Sequence, residues 1–178
     1  MATLEGRSHT ALIVIDMQRD VVADAFNRDA VIHNIAHLVA RARAASVPVV
    51  WVRHSDADLP AGSDAWQIVD GLGPAAGEVI IEKCYGDAFE ATDLETALAG
   101  FGVARVFVVG AQSDACVRST LHGAFARGYD VILVGDAHTT EDKPGTEMPT
   151  ARQMIALTNR YWSRHAAPRR IAEVVATE

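Results

Sequence analysis

Cys116, Asp16 and Lys83 are the residues of this sequence best suited to chemistry, and each closely follows an apolar run. Cys116 lies past Val106-Phe107-Val108-Val109-Gly110 and a short polar turn, Ala111 to Asp114, where a helix-like segment running to Gly128 begins. A thiol at a helix N-terminus meets free N–H groups and the positive end of the helix dipole, which favour thiolate. A thiolate nucleophile needs a partner that takes its proton and returns it to a leaving group. Asp16 suits that role, because burial at a strand end raises a carboxyl pKa toward the useful range. Lys83 can stabilise both anions, and the N–H groups of the Gln112–Cys116 turn can form an oxyanion hole. Together these describe covalent acyl transfer, in which Cys116 attacks a carbonyl, Asp16 protonates the departing amine and water cleaves the thioester. Plainer readings exist for each: Cys116 as a small buried apolar group, Asp16 as a cap, Lys83 as a solvated strand-end charge. Cys84, the other thiol, neighbours Lys83 and faces away from the site if Lys83 faces toward it.

The elements that would position these residues alternate. Ala11 to Ile15 is a continuous apolar run, as expected of a strand buried on both faces of a parallel sheet. Asn27 to Ser46 carries Val31, Ile35, Leu38, Val39 and Ala42 at helical spacing. Val47 to Val52 reads as a second strand, followed by a long Asp-, Gly- and Pro-rich connection to Gly77 that suits a functional wall or lid. Glu78 to Ile81 is a third strand, and Thr92 with Glu95 predicts a capping box for a helix ending at Ala99. Strand four and its helix carry Cys116. Asp130 to Val134 is a fifth strand leading to Asp136 and His138, a helix follows from about Thr146 to Trp162, and Arg169 to Val175 suits a sixth strand.

This pattern predicts one α/β domain over residues 1–178. It would be a three-layer, doubly wound, mainly parallel sheet of about six strands with a Rossmann-like order. Ligands on such sheets bind beyond the strand C-termini, near the point where strand order reverses. Asp16, Lys83, Cys116 and the Asp136–His138 segment all fall at such ends. The net charge of -7 comes from dispersed acids and argues against nucleic-acid or anionic-membrane partners. No apolar stretch reaches the ~18 residues of a membrane span. The N-terminal residues lack a signal-peptide core, so a cytoplasmic location is expected, with both cysteines free.

The residues resemble the isochorismatase-like cysteine hydrolases. Ile13 to Gln18 carry the resemblance at the first strand, Glu82-Lys83 with Gly86, Ala88 and Phe89 at the third, and Gly110 to Val117 with Thr120 at the fourth. Gly128 to Val131 and Asp136-Ala137 continue it, so it covers nearly the whole chain in order. It implies a triad of Asp16 as base, Lys83 as cation and Cys116 as nucleophile. It further implies a cis peptide between Ala111 and Gln112, with the Gln112 and Cys116 N–H groups aimed at the oxyanion, and assembly as a homodimer or homotetramer.

The departures narrow the chemistry. Well-known isochorismatases proper lack the nucleophilic cysteine, so Cys116 favours amide hydrolysis. Nicotinamidases of the family carry Asp-x-His and a later His for a metal. Here the loop reads Arg53-His54-Ser55-Asp56-Ala57-Asp58, and neither feature is present, so no metal or other cofactor is expected. Gly62 to Gln67 and Gln112-Ser113-Asp114 resemble the streptothricin-hydrolase branch. The expected activity is hydrolysis of a small amide or lactam. The alternatives are nicotinamidase-like or isochorismatase-like hydrolysis, or a non-catalytic ligand-binding member. Nucleotide binding is disfavoured, because the first turn, Asp16 to Asp20, has no glycine and two acids. Candidates for the substrate pocket are Gln18, Phe26, Trp66, Tyr85, Phe89 and His138, which can equally serve core or dimer packing.

Overall fold

Burial on both faces shapes the sheet, and its central strand shows it most clearly. In a computed structural model describing residues 2–178, β1 (His9–Ile15) is buried at every position from Ala11 to Ile15. Its side chains divide by parity. Ala11, Ile13 and Ile15 join one apolar core with residues of α2, α3 and α4, while Leu12 and Val14 join a second core beneath α1. The elements run α1 (Arg28–Ala44), β2 (Val49–His54), β3 (Val79–Lys83), α2 (Leu94–Gly100) and β4 (Val103–Ala111). Then come α3 (Cys116–Arg127), β5 (Asp130–Thr139), α4 (Ala151–Trp162) and β6 (Ala172–Val175). All six strands are parallel in the order β3-β2-β1-β4-β5-β6, so strand order reverses between β1 and β4. The three-layer doubly wound fold and the sixth strand agree with the expectation.

Packing outweighs capping in holding α1. Asn27 precedes it in a left-handed conformation with no side-chain cap, whereas Val31, Ile35 and Val39 are buried against the sheet. A cap contributes about 1 kcal/mol and each buried aliphatic about 1.5–3 kcal/mol, so the seam dominates.

Two expected helix starts are corrected. The capping box at Thr92 and Glu95 does not form. The Thr92 hydroxyl donates to the Ala88 carbonyl (2.6 Å), and the Glu95 carboxylate accepts from Arg7 and Tyr129 (both 2.9 Å). The last helix begins at Ala151 rather than near Thr146, because Pro149 disfavours helix at the residue before it. Thr150 and Gln153 there make the capping box that Thr92 lacks.

Glu78, just before β3, ties α1 to the sheet edge. Its carboxylate accepts from Arg43 through two nitrogens and from Trp51 Nε1, all at 2.8 Å, and from the Ala75 N–H at 2.9 Å. The Arg43 hydrogen bonds hold its pKa down at about 2. A carboxyl depressed on folding stabilises the native state above its ordinary pKa and loses that contribution as pH falls through the folded value. Glu78→Gln is therefore expected to flatten the acid limb of stability, measured by urea unfolding between about pH 5 and pH 2.5.

Candidate active site

Three neighbouring strand ends and one turn make the site. Asp16 follows β1, His54 ends β2 and Lys83 ends β3, with His54 and Lys83 paired in register. The β4–α3 turn closes the row from the other side of β1. Gly110 permits this closeness: it pairs with Ile15 at φ 117°, and a Cβ there would lie 2.0 Å from the Ile15 carbonyl oxygen. Asp16 itself adopts φ 48°, a left-handed conformation uncommon for a non-glycine residue. The peptide bond between Ala111 and Gln112 is cis.

The lysine reaches its partners across the end of β2, although β3 lies two strands from β1. Lys83 Nζ stands 2.7 Å from Asp16 Oδ2, with both side chains shielded from solvent. It also donates to Cys116 Sγ at 3.2 Å and meets His54 Nδ1 at 3.3 Å. His54 Nε2 faces Asp56 Oδ2 at 3.0 Å, and that carboxylate also accepts N–H bonds from Asp58 and Leu59. A carboxylate accepts only, so His54 carries its proton on Nε2 and offers the Nδ1 lone pair to Lys83. The ammonium thus has three acceptors: a carboxylate, a sulfur and an imidazole.

Burial pushes the Asp16 carboxyl upward, opposed by the Lys83 charge. Burial and the Asp16 charge push the Cys116 thiol up to about 11, again opposed by Lys83. The helix N-terminus led to an expectation of resting thiolate, and desolvation reverses it. The thiol keeps its proton at neutral pH until an acceptor takes it. Asp16 Oδ1 is buried and has no hydrogen-bond partner.

Within the turn, the Ala115 and Val117 N–H groups share the Gln112 carbonyl, each at 3.1 Å. Gln112 and Cys116 bracket the same turn. Both residues line a cavity of about 260 Å³ with Asp16, Asp20, Val21, His54, Ala115 and Glu141.

The expected pocket residues lie elsewhere. Gln18 is fully buried and structural: its amide donates to the His54 and Trp66 carbonyls and accepts from the His54 N–H. Trp66 packs beneath the Arg53 guanidinium, 3.6 Å from its ring centroid. Phe89 belongs to the core, 5.9 Å from the Tyr129 ring, and Tyr85 is exposed. Phe26 is half-buried and bonds through its backbone to Thr139 and Thr140.

His138 sits behind the β4–α3 turn, not in the cavity. Its Nε2 donates to Asn159 Oδ1 (2.9 Å) and its Nδ1 accepts from the Ser113 hydroxyl (2.7 Å). Burial lowers its pKa and keeps it neutral. The Asp114 carboxylate accepts from the hydroxyl of Thr140, the residue just after β5, at 2.5 Å.

Sequence reasoning missed Asp20, Val21, Ala115 and Glu141 as cavity walls, and it weighed His54 only as a metal ligand. The position of His54 at the end of the strand between those of Asp16 and Lys83 was the available signal. Among the described residues, no group of three or more His, Cys, Asp or Glu side chains is placed to hold a metal. Among them, too, no helix is long and apolar enough to cross a membrane.

Residues 10–160 match the family model described as the isochorismatase domain. The chain is 31% identical over 148 residues to a secreted isochorismatase effector of Verticillium dahliae, covering 78% of this chain and 76% of that protein. It is 34% identical over 145 residues to streptothricin hydrolase of Streptomyces noursei, covering 75% and 56%. It is also 34% identical over 126 residues to N-carbamoylsarcosine amidase of an Arthrobacter species, covering 59% and 48%. The matched segment thus spans only about half of each of these last two relatives. A solved isochorismatase from Pseudomonas putida superposes with a TM-score of 0.86 at 30% identity, over 95% of this chain and 88% of that one.

Proposed function

Because the chain belongs to the isochorismatase family, we propose that it is a cysteine-dependent amidohydrolase that cleaves a C–N bond of a small amide or lactam. The observation that carries this reading is Lys83, buried between Asp16 and Cys116, both of which line an open cavity. As Cys116 Sγ attacks the carbonyl carbon, its proton passes to Asp16, and the new oxyanion is held by the Gln112 and Cys116 N–H groups. Collapse breaks the C–N bond, and Asp16 returns the proton to the departing nitrogen. Water then attacks the thioester and gives a proton to Asp16, which passes it to the sulfur as the acid leaves. Lys83 stays charged throughout and offsets whichever partner is anionic.

A panel of small amides and lactams, assayed for ammonia or amine release with and without chelator, tests this reading. Turnover is expected to survive chelator, and acid quenching is expected to trap an acyl adduct on Cys116 by intact mass. Release that continues at full rate in Cys116→Ala would sink the thioester route.

His54 positions Lys83. His54→Ala removes one of the three acceptors of the ammonium and is expected to lower kcat about fivefold, with KM less affected. His54→Gln, whose amide oxygen can accept, should recover part of the loss. Steady-state kinetics on the best amide of the panel measures both.

The same reading includes a homodimer or homotetramer. Leu157 and Tyr161 of α4, both largely exposed, offer apolar surface for it. Light scattering should return at least twice the 19.1 kDa of the chain. A cytoplasmic location suits two free thiols, which a reducing compartment preserves. Thiol titration of freshly lysed source cells should find both unmodified.

A further inference from the structure

We infer that Asn159 is a positioning residue: from α4 it holds the β4–α3 turn through His138 and Ser113, and so aims the Gln112 and Cys116 N–H groups at the oxyanion. The inference rests on the amidohydrolase reading of that turn and adds a residue that does not line the cavity. The donor and acceptor of every link are fixed from one end. A backbone carbonyl only accepts, so the Asn159 amide turns its Nδ2 to the Gly135 carbonyl, 2.9 Å away. Its Oδ1 then faces His138 Nε2 at 2.9 Å, and that nitrogen carries the imidazole proton. With the ring held neutral by burial, the bare Nδ1 accepts from the Ser113 hydroxyl at 2.7 Å. Reversing any one link would set two donors or two acceptors against each other.

The fold makes room for this chain of bonds. At Gly135 a Cβ would lie 3.1 Å from Asn159 Oδ1, 3.2 Å from Nδ2 and 2.8 Å from Val174 Cγ1. β5 bulges to deliver the histidine: Val108 pairs with Leu133 and Gly110 with His138, so β5 advances five residues where β4 advances two. Ser113 is fully buried and His138 is 2% exposed. A buried polar group left unpaired is costly, so a satisfied network of this kind holds one arrangement.

The chain ends beside a peptide that is itself held on both edges. The peptide joining Gln112 to Ser113 donates its N–H to the Thr139 carbonyl at 2.8 Å, and its carbonyl accepts from the Ala115 and Val117 N–H groups at 3.1 Å each. In sequence, that peptide lies between the two N–H groups proposed for the oxyanion, so fixing Ser113 fixes their relative aim. A bond that only fastened α4 to the sheet would not need to end there. Trp162 supplies such a bond, because its Nε1 donates to the Val131 carbonyl, near the start of β5, at 3.2 Å.

Two reagents on one sulfur read the turn without requiring amide turnover. In a Cys84→Ser background, p-nitrophenyl acetate acylates Cys116. The sulfur bonds to the acetyl carbon through an oxyanion, the ester C–O bond breaks with its electron pair on nitrophenolate, and the thiol proton passes by Asp16 to solvent. Iodoacetamide alkylates the same sulfur at a saturated carbon, where iodide departs and no oxyanion forms. The ratio of acylation to alkylation rates, from nitrophenolate release and intact mass, is expected to fall about tenfold in Ser113→Ala and in Asn159→Ala, with alkylation nearly unchanged. Asn159 is half-buried on α4, so its variant is expected to fold even where Ser113→Ala does not. Trp162→Phe loses its bond to β5 but leaves the relay intact, and it should keep the parent ratio whatever its stability in urea. On the best amide of the panel, the relay variants should lower kcat about tenfold with KM within about twofold.

A ratio within about threefold of the parent's in either folded relay variant, an equal fall in Trp162→Phe, or failure of p-nitrophenyl acetate to acylate Cys116 would overturn the inference. A ratio that falls as expected in a protein that hydrolyses no amide refutes the hydrolase reading alone. Amide turnover with an unmoved ratio refutes the relay alone.

Discussion

Cys116→Ala is expected to reduce amide hydrolysis by about 10⁴-fold or more, because on the proposed mechanism it removes the atom that forms the covalent intermediate. The fold should tolerate the change. Cys116 sits at the edge of the α2–α4 core, half-buried, and its sulfur accepts a hydrogen bond from Lys83 but supports no backbone. Its thiol is held protonated in the resting protein, so its removal deletes no buried charge. A stability change within about 1 kcal/mol is expected. Cys116→Ser keeps the shape but offers a hydroxyl whose proton is much harder to remove, so it should stay near the alanine level. Ammonia release and urea unfolding, run on the same preparations, separate the chemical loss from any structural one.

Lys83→Met is expected to produce the second-largest effect, and it acts on stability as well as rate. The Lys83–Asp16 pair is shielded from solvent at 2.7 Å, and methionine leaves the carboxylate buried without a cation. Breaking one side of a buried pair costs about 3–5 kcal/mol. Asp16 can escape by taking a proton, which fixes the pH dependence. Burial already raises its folded pKa above the ordinary carboxyl value, and loss of Lys83 removes the main opposing influence. A carboxyl raised on folding binds more protons in the native than in the unfolded state, so stability falls as pH rises from the unfolded toward the folded pKa. The variant should therefore be least impaired near pH 4–5 and most impaired near pH 8. Asp16→Asn in the same chain should restore much of the stability at pH 8 and none of the activity. Urea unfolding across that range checks the sign, and activity is expected to fall by about 10³-fold or more.

The strands were legible because a parallel sheet covered on both faces leaves long apolar runs, such as Ala11 to Ile15. The strand-end residues Asp16 and Lys83 were legible for the same reason, since one run stops at Asp16 and another stops one residue before Lys83. Lys83 required more than spacing: its reach across β2 depends on full burial and on the left-handed turn at Asp16, neither of which a one-dimensional pattern records. Thr92 with Glu95 had a correct local signal that lost to tertiary partners, since Arg7 and Tyr129 claim the glutamate. The aromatic residues failed as pocket markers because large apolar side chains are taken first by the core, as Phe89 is, or by a stacked arginine, as Trp66 is. The actual walls are short or charged residues on loops, which have no periodicity to betray them. His138 deceived through its place at a strand end, because β5 runs on past Asp136 and carries it behind the turn.

The residues proposed to break the bond and the loop residues that wall the cavity belong to different parts of the molecule. Asp16 and the turn before Cys116 are set by the ends of the central strands β1 and β4, which border two cores, and Lys83 reaches them from the end of the edge strand β3. Asp20 and Glu141 stand on connecting loops outside those cores, whereas Val21 packs against the second one. On the proposed function, redirecting the protein toward other amides is thus a matter of varying two peripheral positions. A combinatorial library limited to residues 20 and 141 would search new specificities on an unaltered reaction centre.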